Sequence, residues 1–106
     1  MSSRQEYLSE ARAWRGVARR LSYHPVGAPF NTSMSALGVD AGTWNAMNWR
    51  CEYHKFFDPG KAFPGGTTRE NIDAALLACL FLALEAEDDA KSAALSGTEE
   101  DKAGEE

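Results

Sequence analysis

Apolar positions recur at helical spacing through three long stretches of the chain, and nowhere do they alternate as a half-buried strand would require. Tyr7, Ala11, Trp14, Ala18 and Leu21 are separated by four, three, four and three residues, which draws one apolar stripe along a helix. Ser3 and Glu6 stand in the S-x-x-E pattern of a capping box and place its start. Pro25, Gly27 and Pro29 stop it. A short helical turn is expected after Asn31 or Thr32, carrying Met34 and Leu37 and ending at Gly38. Asp40 then caps a helix expected over residues 41–57, with Val39 and Trp44 as the two halves of a hydrophobic staple and Asp58-Pro59-Gly60 as the stop. Thr67-x-x-Glu70 reads as a second capping box, opening a helix through Leu84 that frays in the acidic stretch beyond. The expected fold is all-α, with three main helices and one short one. A single helical domain is assigned to residues 1–90, and an acidic, disordered tail to 91–106.

The middle helix carries two apolar stripes. Trp44, Met47 and Cys51 form one; Ala46, Trp49, Tyr53, Phe56 and Phe57 form a second, roughly opposite. A surface helix needs one apolar face, so this one is either sandwiched between neighbours or keeps a face for a partner. Residues 74–84 are apolar on every side and also ask for more cover than two helices provide. Self-association or docking on another protein relieves both excesses. Trp49, Tyr53, Phe56 and Phe57 are therefore the candidate partner-binding residues, since large aromatics anchor interfaces.

Charge divides the chain unevenly. Residues 1–84 hold nine Lys/Arg against seven Asp/Glu, whereas residues 85–106 hold two lysines against nine acids. A body of about 84 residues is at the size where one core is only marginally sufficient. The two cysteines, Cys51 and Cys79, form no framework or C-x-x-C, which suits a reducing, cytoplasmic setting. No apolar signal-like segment opens the chain, and the longest uncharged apolar run, 11 residues, is too short to span a bilayer.

Chemistry is thinly represented. His24 and His54 are the candidate bases, but neither sits in a nucleophile, phosphate-loop or zinc-protease pattern, so no catalytic or cofactor-binding residues are assigned and no enzyme is expected. Cys51 and His54, three residues apart, would form a four-ligand zinc set with His24 and Cys79. The competing reading, small cysteines buried in apolar helices, is preferred, and no metal is expected. Arg12, Arg15 and Arg19 share the helix face opposite Trp14. They form a solvated face or a charged contact face, for phosphates or for an acidic surface that includes this chain's own tail.

Leu37-Gly38-Val39-Asp40, followed by Thr43, Trp44 and Asn48, resembles the turn and second-helix start of helix-turn-helix regulators. That resemblance implies DNA binding through the helix after Asp40. Only Arg50 and Lys55 supply cations there, and Pro29, Ser33 and Ser35 interrupt the helix that should precede it. The reading preferred from sequence is a small cytoplasmic regulator, of the inhibitor, antiactivator or adaptor type. It would bind another protein, such as a transcription regulator, through apolar helical surface and self-associate as a homodimer. A helix-turn-helix-like DNA-binding regulator is the alternative.

Overall fold

The computed structural model describes residues 3–55, 63 and 65–96, with side chains to Ala94. These residues form four helices and no strand: α1 (Arg4–Tyr23), α2 (Met34–Leu37), α3 (Ala41–His54) and α4 (Arg69–Ser96). The all-α class expected from the periodicity is the class observed.

Local chemistry sets most of the starts. The Ser3–Glu6 capping box forms in full, the Ser3 N–H donating to Glu6 Oε1 at 2.7 Å and the Glu6 N–H to Ser3 Oγ at 3.3 Å. Asp40 Oδ1 accepts the Thr43 N–H at 2.8 Å and starts α3; this bond holds the Asp40 carboxyl below its ordinary value. The cap of α2 is Ser33 rather than Asn31 or Thr32, because Ser33 Oγ reaches the Ala36 N–H. Gly38 closes that turn at φ 70, a left-handed conformation that costs glycine little.

Three boundaries differ from the sequence reading. First, α3 ends at His54 and not at residue 57: Lys55 takes φ 60, and its N–H closes back on the Cys51 and Glu52 carbonyls. Phe56 and Phe57 lie outside the described residues. Second, Thr67 does not cap α4. Thr68 does, its Oγ1 accepting the Asn71 N–H at 3.1 Å. The Thr67 hydroxyl instead donates to the Ala28 carbonyl at 2.6 Å, and the Thr67 carbonyl accepts the Gly27 N–H at 2.9 Å, which ties the loop after α1 to the start of α4. Third, α4 does not fray near Leu84 but runs 28 residues to Ser96, past the boundary drawn at 90. Ala86 and Ala90 continue its buried side there, and Glu85, Glu87 and Asp89 find cationic partners. Residues 97–106 lie outside the described set.

Helices α1 and α4 run antiparallel, pinned near one end by Gly27–Thr67 and midway along α1 by an Arg15–Glu87 ion pair of 2.8 Å. At about 1.5 Å per residue α4 is about 42 Å long, and it sets the 50 Å long axis of the molecule. Trp14, Val17 and Leu21 of α1 meet Ile72, Cys79 and Leu82 of α4 in the core, and Met47 and Cys51 of α3 close it from the third side. Phe30, edge-on to His24 and tilted against Phe63, covers the end near the tie.

Candidate functional site

Glu10 is the least expected residue of the core. It falls on the apolar stripe of α1, four residues before Trp14, and is only 1% exposed. A carboxylate at that depth is tolerable only with partners for both oxygens. Oε2 accepts the Trp14 indole N–H at 3.0 Å and Arg50 Nε at 2.6 Å, while Oε1 accepts Arg50 Nη2 at 2.9 Å. The fork is bidentate, the geometry that suits a guanidinium to a carboxylate. Arg50 then turns its Nη1 to α4, reaching Glu85 at 2.8 Å and Asp89 at 2.9 Å. His54 Nε2 lies 2.7 Å from the same Glu85 carboxylate.

One guanidinium thus joins three helices. Burial opposes the charge on Arg50, but hydrogen bonds to Glu10 and Glu85, with the field of Glu10, outweigh it and raise its pKa further above an already high ordinary value. Burial likewise favours neutral Glu85, yet the hydrogen bonds from Arg50 and His54 prevail and hold it below the usual carboxylate range.

The outer side of this network is aromatic. His54 meets Phe81 of α4 edge-on at 5.6 Å and Tyr53 edge-on at 5.0 Å; Tyr53 stacks on Trp49 at 5.7 Å with the rings 8° from parallel. On α4, Leu77, Phe81 and Leu84 follow at spacings of four and three, a single stripe. These residues face solvent: Trp49 is 70% exposed, Tyr53 69%, Leu77 66%, Leu84 55% and Phe81 46%. Together they expose on the order of 600 Å² of apolar surface, taking about 150–250 Å² for a whole aromatic side chain. That reaches the upper end of what monomers ordinarily leave open, about 300–600 Å².

Of the residues singled out from sequence, Trp49 and Tyr53 come together on this surface. Arg12 and Arg19 are exposed on α1, and Arg15 is committed to Glu87. Arg50, one of two cations on the helix that resembled a recognition helix, is buried in the network, and α2 before it is four residues long. The zinc candidates are dispersed. Cys51 and Cys79 are buried core thiols, burial pushing Cys79 up to about 12; His24 Nε2 is 2.8 Å from the Ala28 carbonyl, and His54 is on Glu85. Among the described residues no three His, Cys, Asp or Glu side chains group to hold a metal, and no helix is long and apolar enough to cross a membrane.

Sequence reading missed the Glu10–Arg50 centre. The signal was present as a charged residue inside an apolar stripe, opposite a lone arginine in an apolar helix. No protein-family model matches the chain, and no curated protein or solved structure matches it either.

Proposed function

We propose that this is a small cytoplasmic regulatory protein that binds another protein through the apolar face formed by Trp49, Tyr53, Leu77, Phe81 and Leu84. The observation that carries the reading is the continuity of that face across two helices: ring contacts link Trp49 through Tyr53 and His54 to Phe81. Scattered exposed hydrophobics need no explanation, but a contiguous two-helix patch marks an interaction site. Its residues are of the kind that anchor interfaces, aromatics above all. The DNA-binding alternative is weaker, since a reader of phosphates and bases concentrates cations on its recognition helix. Here Arg50 is spent internally on Glu10, Glu85 and Asp89.

The test is quantitative recovery from the native host of proteins bound to the wild-type chain, to Trp49→Ala and to Phe81→Ala, with far-UV circular dichroism confirming that the variants stay helical. A partner recovered with wild type and lost with both substitutions supports the reading. A partner recovered equally by all three chains refutes it. Steep loss of a nucleic-acid complex with salt, unaffected by either substitution, would return the DNA-binding alternative.

A further inference from the structure

We propose that the occupant of this face is a basic amphipathic helix of another protein, laid along α4 with cations opposite Glu70 and Asp88. The proposal rests on the docking reading above and adds the chemistry of the partner.

The solvent-facing seam of α4 has a heptad step. Glu70, Ala74, Leu77, Phe81, Leu84, Asp88 and Lys91 follow at alternating intervals of four and three, and every one is exposed. Its centre is apolar and each end of that centre is acidic. From Glu70 to Asp88 the rise is about 27 Å, at about 1.5 Å per residue, the length of an 18-residue helix. The stacked Trp49–Tyr53 pair is joined to the seam through His54, which meets Phe81 edge-on, and widens its apolar surface for an amphipathic helix. Among the described residues of α3, its cap and α4, Glu52, Asp73 and Glu85 add acidic groups, while Arg69, paired with Asp73, Lys55 and Lys91 are the exposed cations.

Charge decides between a second copy and a different chain. An antiparallel copy that sets Leu77 against Phe81 and Ala74 against Leu84 brings Glu70 onto Asp88 at both ends. A parallel copy sets Glu70 on Glu70 and Asp88 on Asp88. These two registers, which lay the whole of residues 74–84 on itself, juxtapose acids, which opposes association. The antiparallel register centred on Phe81 pairs Glu70 with Lys91 instead, but it lays the Asp88 carboxylate over Ala74 in the apolar centre. A helix with the same apolar spacing and Lys or Arg at its two ends meets no such repulsion and gains both pairs.

The experiment uses the full chain and two dye-labelled synthetic 18-residue helical peptides with an identical Leu/Ala seam. One carries lysines at both ends of the seam, the other glutamates, and binding is read by anisotropy at low salt. The lysine peptide should bind about tenfold more tightly, as two exposed charge pairs exchanged for two repulsions imply. Salt should narrow the gap. Glu70→Gln/Asp88→Asn should abolish the preference, and Glu70→Lys/Asp88→Lys should invert it. Phe81→Ala, or Leu77→Ser if the first disturbs folding, should weaken both peptides. Equal affinities that both fall with Phe81→Ala overturn the basic partner but leave apolar docking standing. Affinities untouched by Phe81→Ala, Leu77→Ser and Trp49→Ala, or no binding of either peptide, overturn the proposal. A dimer of the chain alone in light scattering, dissociated by Phe81→Ala, gives the face to a second copy and overturns it as well.

Discussion

Replacing Arg50 by Met, a side chain of similar length without charge, isolates what the buried network contributes. Glu85 and Asp89 have side chains 31% and 41% exposed, so water takes over when the guanidinium leaves. Glu10 has no such recourse: at 1% exposure it keeps only the Trp14 indole N–H. The loss is therefore dominated by one uncompensated buried carboxylate, and breaking a buried pair in this way costs about 3–5 kcal/mol. A domain of this size has a total stability of only about 5–13 kcal/mol, at about 0.05–0.15 kcal/mol per residue, so Arg50→Met should be severely destabilised. The double variant Glu10→Gln/Arg50→Met removes both charges and leaves an amide oxygen for Trp14. It should return to within about 1–2 kcal/mol of wild type, since a buried ion pair is close to neutral against an uncharged replacement. Urea unfolding followed by far-UV circular dichroism, with both single variants, completes a double-mutant cycle whose coupling term should reach about 2–3 kcal/mol. A loss below about 1 kcal/mol for Arg50→Met would mean that the pair behaves as a solvated surface bridge. A double variant no more stable than Arg50→Met would refute the assignment of the loss to unpaired Glu10.

Three further outcomes follow from individual contacts. Thr67→Ala should cost about 1 kcal/mol by leaving the Ala28 carbonyl without its hydroxyl donor, while Thr67→Ser is silent; Thr68→Ala should cost a similar amount as a lost cap. Equal stabilities of Thr67→Ala and wild type in urea would exclude a stabilising role for the Thr67 hydroxyl bond to Ala28. Because Glu85 is held below its ordinary value in the fold, the unfolded chain takes the proton first on acidification. Its contribution is fully present above the ordinary glutamate value of about 4.3 and is lost as pH falls through the depressed folded value, so wild-type stability should fall more steeply there than that of Glu85→Gln. Parallel pH profiles would contradict this. Cys79, buried with its thiol at about 12, should be alkylated only through unfolding, at a rate that rises with urea; fast labelling of the native chain would contradict its burial.

What the sequence disclosed and what it concealed divide by the range of the interactions. Ser3 and Asp40 were readable as caps because each bonds a backbone N–H three residues away. Thr67 and Thr68 stand side by side with equivalent hydroxyls, and the choice between them was made by the Ala28 carbonyl, 39 residues distant along the chain. The acidic stretch after Leu84 looked like a solvated tail for the same reason. The partners that turn it into helix are Arg15, Arg50 and His54, between 31 and 72 residues away. The two stripes of α3 were legible, and Met47 and Cys51 are buried while Trp49 and Tyr53 are exposed. Which stripe would be covered depended on where α4 lies, and no local pattern states that.

The two features that sequence and structure bring forward, a buried charge centre and an open apolar face, have one physical origin. On the flank of α4 nearest α3 stand Glu85 and Asp89, so α3 reaches α4 through the long side chains of Arg50 and His54 rather than through close apolar packing. A polar joint of that kind fixes direction, because each carboxylate must find its donor, and it leaves Phe81 at the edge of the joint instead of beneath it. Charge pairs bought at a desolvation cost are poor stabilisers in general. Here they hold α3 so that Trp49 and Tyr53 stay in water, joined through His54 to Phe81.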